Sequence, residues 1–132
     1  MIERLVCNRL SIHLKDHNLI PSAQSAYRTG HSTETAVLKV ASDVWQAMDE
    51  GNITLLGLLD LSAAFDTVDH DILLHRLNLS FGISGPVLKW LESFVRGRSQ
   101  SAVFNGELAP TTQLQNGVPQ GSVLGPLLFI LV

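Results

Sequence analysis

The chain has 132 residues, 45% of them hydrophobic, and a formal net charge of −3 at pH 7. This length and apolar content suffice for one domain with a core. A single cysteine excludes an internal disulfide and a cysteine-based zinc finger. The acidic balance argues against a segment that binds nucleic acid by itself. Without a signal-peptide pattern or a membrane-spanning apolar run, a soluble intracellular domain is expected, in either the nucleus or the cytoplasm.

The first half of the chain predicts two helices. Apolar residues recur at helical spacing between residues 1 and 17, which predicts a first helix ending near Asn18. A second helix is predicted from Thr33 to Glu50, with Ser32 as its N-cap and Gly51 as its terminator. One face of this helix is apolar, formed by Val37, Val40, Ala41, Val44 and Met48.

A continuous apolar run, residues 53–59, follows the second helix. It predicts a strand buried on both faces. Asp60 comes directly after this run, where an ionised carboxylate must be paired or must hold a cation. Four aspartates crowd into the twelve residues 60–71 and suit divalent cations. Enrichment of Asp at a helix N-terminus is the alternative for three of the four. The four are Asp60, Asp66, Asp69 and Asp71.

The second half predicts three more helices and a hairpin. One helix is predicted over 70–79, capped by Asp69, and another begins at Pro86 and ends before Gly97. A hairpin is predicted around Asn105-Gly106, the strongest short-range turn signal. A loop rich in Gly and Pro leads to a last helix that starts at Pro126, and the apolar end of that helix is expected to lie uncovered. The absence of regular strand–helix alternation predicts an α+β fold.

Three contiguous segments stand out as motifs. They are Gln-Ser-Ala-Tyr-Arg-Thr-Gly-His-Ser-Thr at 24–33, Asp-Leu-Ser-Ala-Ala-Phe-Asp at 60–66 and Gly-Val-Pro-Gln-Gly-Ser-Val-Leu-Gly-Pro at 117–126. Together they resemble the motifs of reverse transcriptases, and closely those of non-LTR (LINE-type) retrotransposons. Tyr27 replaces a commoner Phe. The resemblance covers residues 1–132 and implies one reverse transcriptase domain, with partial fingers and palm of a right-hand polymerase. The family's Tyr-x-Asp-Asp motif is absent, so the chain is expected to be a truncated fragment that lacks the second catalytic Asp motif and the thumb.

The resemblance also implies a two-metal magnesium site in the complete enzyme. Asp60 would be the catalytic, first metal-binding aspartate, and the Leu61 carbonyl a further ligand. Two metal ions can activate a 3′-hydroxyl and neutralise a triphosphate, and magnesium prefers carboxylate and phosphate oxygens. The alternative for Asp60 is a residue that caps the turn after the strand.

Six nucleotide-binding residues follow from the same resemblance. Phe65 would pack under the sugar and exclude a ribonucleotide's 2′-hydroxyl, with ordinary core packing as the alternative. Gln120 would lie near the incoming sugar and its 3′-hydroxyl. The remaining four are Arg28 on the triphosphate or template backbone, the amides of Ala63 and Ala64 facing the phosphates, and Gly121 allowing close approach. Asp66 is assigned to local turn and cap chemistry. A surface-loop role is the alternative for Arg28.

The implied parent reaction is RNA-directed DNA synthesis, the addition of deoxynucleotides to a primer 3′-end. Its partners would be an RNA template, a DNA primer, a deoxynucleoside triphosphate and the remaining palm and thumb of a parent polyprotein, without a membrane. The chain alone is expected to be inactive. Two alternatives stay open: a catalytically inactive remnant or domesticated binding module of the same fold, and an unrelated α+β binding domain.

Overall fold

The computed structural model describes all 132 residues and contains five helices and four short strands. None of the helices has the length and apolar character needed to cross a membrane. The helices are α1 (Ile2–Asp16), α2 (Thr33–Asp49), α3 (His70–Leu79), α4 (Gly85–Val95) and α5 (Gly125–Ile130). The strands are β1 (Ser99–Gln100), β2 (Val103–Phe104), β3 (Glu107–Leu108) and β4 (Thr112–Gln113).

Helices α2 and α3 begin where the sequence supplies side-chain caps. At α2, Ser32 Oγ accepts from the Thr35 amide at 3.2 Å, and Thr35 Oγ1 accepts from the Ser32 amide at 2.8 Å. At α3, Asp69 Oδ1 accepts from the amides of Asp71 and Ile72 at 2.8 and 3.0 Å. These bonds satisfy amides that have no partner within the helix. Both predicted caps are confirmed.

The predicted hairpin is confirmed, although its ladder is interrupted. Asn105 and Gly106 both have positive φ, 51° and 83°, as a type I′ turn requires. Next to the turn, β2 and β3 pair in antiparallel fashion, with Val103 opposite Leu108. Strands β1 and β4 form a second antiparallel pair further out. The structure is therefore a mixture of helices and two small two-stranded sheets.

The chain divides into two compact units, residues 1–17 with 62–132 and residues 18–61. Every buried apolar side chain belongs to the first unit. These are Leu10, Leu14, Val68, Leu73, Leu77, Phe81, Ile83, Leu91, Val95, Val118, Leu124, Leu127, Leu128 and Leu131. The expectation that the apolar end of the last helix lies uncovered is wrong, because Leu127, Leu128 and Leu131 are part of this core.

The predicted strand at 53–59 is also wrong. These residues form no strand and make no backbone hydrogen bonds. Ile53 and Leu59 are 99% and 100% exposed. A strand exists only through ladder bonds to a neighbour, and the apolar run pairs with none of the four strands that form.

Helix α2 has the predicted bounds but not the predicted burial. Its apolar face is largely exposed, with Val37 at 61% and Met48 at 63%, and the helix has no buried residue. The capping box and helix propensity define this helix locally, while tertiary burial contributes little. The helical period of a sequence predicts which side chains share a face, and it does not supply the surface that covers them.

Candidate functional site

Two motif segments meet in the first unit, although about 50 positions separate them in the sequence. The Val118 amide donates to the Phe65 carbonyl oxygen at 2.9 Å, and the Gly117 amide donates to the Val68 carbonyl oxygen at 2.7 Å. Asp69 and Asn116 form an isolated antiparallel bridge beside them. The end of the Asp60–Asp66 motif is thus bound to the start of the Pro-Gln-Gly loop through the backbone.

At Gly117 the backbone of the Pro-Gln-Gly loop comes very close to the backbone of Phe65 and Asp66, and we call this meeting of the two segments the junction. The φ of Gly117 is +92°, in the left-handed region that favours glycine. A Cβ added there would lie 3.2 Å from both the Phe65 carbonyl oxygen and the Asp66 Cα. Conformation and space therefore both require glycine at this position.

A buried histidine holds the same junction from the side of α3. His70 is 5% exposed, and its Nε2 lies 2.7 Å from the Gly117 carbonyl oxygen. Since a carbonyl oxygen can only accept, Nε2 carries the proton and donates. No sequence signal points to this role, because a lone histidine at a helix start has no spacing pattern that indicates contact with a loop 47 residues away.

Phe65 is half-buried, and its ring meets another aromatic side chain. The rings of Phe65 and Phe129 have centroids 5.2 Å apart and an interplanar angle of 60°, an edge-to-face arrangement. The packing role considered for Phe65 is therefore present. Its partial exposure leaves ring surface that a ligand can contact.

The segment before Phe65 folds into a tight turn. The Asp66 amide donates to the Ala63 carbonyl oxygen at 2.8 Å, and Ala63 has a φ of 53°. A non-glycine residue in this region is uncommon and indicates local strain. The amides of Ala63 and Ala64 make no backbone hydrogen bond, so they can donate to an anionic ligand.

The Asp66 side chain reaches across to the Pro-Gln-Gly loop. Gln120 Nε2 lies 3.2 Å from Asp66 Oδ1 and 3.3 Å from Oδ2, and both side chains are exposed. The assignment of Asp66 to turn and cap chemistry is correct for its backbone and wrong for its side chain. Gly121, next to Gln120, has a φ of +76° with open space around its Cα.

The other predicted site residues belong to the second unit. Asp60 and Leu61 are exposed, and the Asp60 carboxylate makes no hydrogen bond or ion pair. Arg28 Nη1 donates to the Ser22 carbonyl oxygen at 3.1 Å and lies 3.4 Å from that of Gln24. The recorded contacts of Arg28 are thus with its own loop, which agrees with the surface-loop alternative.

The aspartate cluster does not form a metal site by itself. Asp69 caps α3, and Asp71 pairs with Arg96. The chain contains no group of three His, Cys, Asp or Glu side chains that could hold a metal ion. For Asp69 and Asp71 the helix N-terminus interpretation is therefore correct.

Comparison with known proteins supports the family that the three motifs resemble. Residues 1–132 match the family described as reverse transcriptase (RNA-dependent DNA polymerase). The chain is 33% identical over 127 residues to a probable RNA-directed DNA polymerase from transposon BS of Drosophila melanogaster, covering 96% of this chain. It is 32% identical over 129 residues, 98% of this chain, to the RNA-directed DNA polymerase from mobile element jockey of Drosophila funebris.

The chain spans 14% of the length of each of these two relatives. A shorter match is with the retrovirus-related Pol polyprotein from type-1 retrotransposable element R2 of Popillia japonica. The two sequences are 34% identical over 74 residues, which is 56% of this chain and 12% of that protein. No solved structure matches the chain significantly.

Proposed function

The chain belongs to the reverse transcriptase family, and from this premise we propose that it is part of the fingers and palm of a retrotransposon RNA-directed DNA polymerase. The proposed parent reaction is template-directed transfer of a deoxynucleotide to a primer 3′-end. Its proposed partners are an RNA template, a DNA primer, a deoxynucleoside triphosphate and the rest of the polymerase. Residues 1–132 form one domain segment in this proposal.

One observation carries the proposal. The two motif segments are bound together in the first unit through Val118 and Phe65, whose amide and carbonyl oxygen are 2.9 Å apart. Around this bond lie a partly exposed aromatic ring, free amides at Ala63 and Ala64 and a polar amide at Gln120. These are groups that suit a sugar and a phosphate, the components of a nucleotide.

Each of these groups has a distinct proposed task. Phe65 offers an apolar ring without a hydrogen-bonding group, which would reject a 2′-hydroxyl by volume. The amides of Ala63 and Ala64 would donate to phosphate oxygens, and Gly121 would allow the backbone to approach. Gln120 would hydrogen-bond the sugar. Arg28, a residue of the other unit, is proposed from the family resemblance alone to contact phosphate through guanidinium donors beyond Nη1.

Asp60 is the proposed catalytic aspartate, and Asp60 with the Leu61 carbonyl the proposed ligands for magnesium. The exposed, unpaired Asp60 carboxylate is compatible with this role. Magnesium is usually held by one or two carboxylates together with substrate phosphates and waters, and Asp60 would supply one such carboxylate.

Primer extension by a chimera tests the proposed function. Residues 1–132 would replace the matching segment of the jockey polymerase of Drosophila funebris, and extension of a DNA primer on an RNA template would be measured. The unmodified chimera should extend the primer. Asp60→Asn should lower the rate on the order of 100-fold or more, because loss of a metal-binding charge costs several kcal/mol of transition-state stabilisation.

Asp49→Asn is the matched control. Asp49 lies in the same unit and is exposed, and its carboxylate makes no hydrogen bond or ion pair, so this variant should keep the activity of the chimera. An inactive unmodified chimera of intact fold, or an Asp60→Asn chimera as active as the Asp49→Asn control, would contradict the proposal.

A further inference from the structure

We propose that Asp66 is a positioning residue that fixes the orientation of the Gln120 amide, so that Gln120 presents its carbonyl oxygen to a hydroxyl of the ligand. The inference rests on the proposed function and adds a residue to it. Its basis is the contact of Gln120 Nε2 with both carboxylate oxygens of Asp66, at 3.2 and 3.3 Å.

The chemistry of the two groups determines the orientation. A carboxylate only accepts hydrogen bonds, whereas a primary amide donates through nitrogen and accepts through oxygen. With Asp66 beside it, the amide must turn its nitrogen toward the carboxylate. The Gln120 carbonyl oxygen then points away from Asp66 and needs a donor. Among the groups of a deoxynucleotide's sugar, only the 3′-hydroxyl can donate.

The backbone on both sides of this contact is held in place. The Asp66 amide closes the turn to Ala63 at 2.8 Å, and the Ser122 amide closes a turn around Gln120 to the Pro119 carbonyl oxygen at 3.1 Å. Gly117 packs directly against the Asp66 backbone. The Gln120 side chain is exposed, so its amide would rotate freely without Asp66.

Discrimination between deoxynucleotides and dideoxynucleotides tests this role in the chimera. A dideoxynucleotide lacks the 3′-hydroxyl, so the ratio of the two kcat/KM values reports the bond to Gln120. Asp66→Ala and Gln120→Ala should each reduce this ratio roughly five- to tenfold, the size of one oriented hydrogen bond. The double variant should reduce it no further, because both changes remove the same interaction.

Conservative variants separate positioning from packing. Asp66→Glu keeps a carboxylate, which only accepts hydrogen bonds, and should retain most of the preference for deoxynucleotides over dideoxynucleotides. Asp66→Asn has the same shape as Asp66 but can also donate, so the Gln120 amide can turn around and the preference should fall. A packing role predicts the reverse order. Asp16→Ala, an exposed residue of the same unit without a recorded side-chain partner, should leave the ratio unchanged.

Additive losses in the double variant, or equal losses for both nucleotides in Asp66→Ala, would overturn the inference. They would leave the proposed function intact, since the unmodified chimera would still extend primers. An inactive chimera of intact fold would instead contradict the proposed function and this inference with it.

A second measurement needs no activity. In the ¹⁵N-labelled 132-residue chain, the side-chain amide resonances of Gln120, identified by their loss in Gln120→Ala, should shift in Asp66→Ala and stay in place in Asp16→Ala. Unshifted Gln120 resonances in Asp66→Ala would overturn the contact, whether or not the chimera folds.

Discussion

The Nε2 atom of His70 lies 2.7 Å from the carbonyl oxygen of Gly117, so the first residue of α3 holds the start of the Pro-Gln-Gly loop. His70 is buried and Asp69, beside it, caps the helix. The helix start is therefore fixed by its own cap, and the loop is fixed by the helix. These two contacts hold the backbone that carries the candidate site.

Replacing His70 by Ala should destabilise the first unit. The buried Gly117 carbonyl oxygen would lose its partner, which costs about 1–3 kcal/mol. Denaturant unfolding of the 132-residue chain measures this free energy. His75→Ala is the matched control, since His75 is exposed on the same helix and its side chain makes no hydrogen bond. Equal unfolding free energies for the two variants would refute the role given to His70.

Replacing Gly117 by Ala should cost more than the same change at Gly106. Both glycines have positive φ, +92° and +83°, so both variants place Ala in a strained conformation, costing about 1–2 kcal/mol. Only at Gly117 would the new Cβ also crowd backbone atoms at 3.2 Å, which adds roughly 1–3 kcal/mol. Equal unfolding free energies for Gly117→Ala and Gly106→Ala would contradict the close backbone approach at Gly117.

Local features of this fold could be predicted from the sequence. The caps at Ser32 and Asp69, the Asn105-Gly106 turn and the helix bounds depend on residues within a few positions of one another. The reverse transcriptase motifs were also recognisable, because each is a contiguous string whose residue types carry the resemblance. The comparisons with known proteins confirm that family.

Features that depend on distant partners could not be predicted. The sequence pattern predicts burial of the apolar run at 53–59, which is exposed, and exposure of the end of α5, which is buried. Periodicity carries no information about which surface lies opposite. The contacts of Gln120 with Asp66 and of His70 with Gly117 span 54 and 47 positions, and only the fold brings these residues together.

The 132-residue chain alone should not extend primers. Its only tyrosine is Tyr27, so it contains no Tyr-x-Asp-Asp segment, and it assembles no three-ligand metal site. One catalytic carboxylate cannot hold two metal ions. Primer extension on an RNA template with the purified chain is the measurement, with the active chimera as the positive control. Magnesium-dependent extension that disappears in Asp60→Asn would contradict this prediction.

Sugar discrimination in the chimera tests most directly the central claim that the two motif segments meet to form a nucleotide site around Phe65. Phe65→Ala and Phe129→Ala remove the same edge-to-face pair, worth about 0.5–1.5 kcal/mol beyond buried area, but only Phe65 belongs to the proposed sugar contact. We predict that Phe65→Ala raises the efficiency of ribonucleotides relative to deoxynucleotides by ~10-fold or more, while Phe129→Ala leaves the ratio unchanged. An unchanged ratio in a folded, active Phe65→Ala chimera, or the same rise in both variants, would identify Phe65 as ordinary packing and contradict the site.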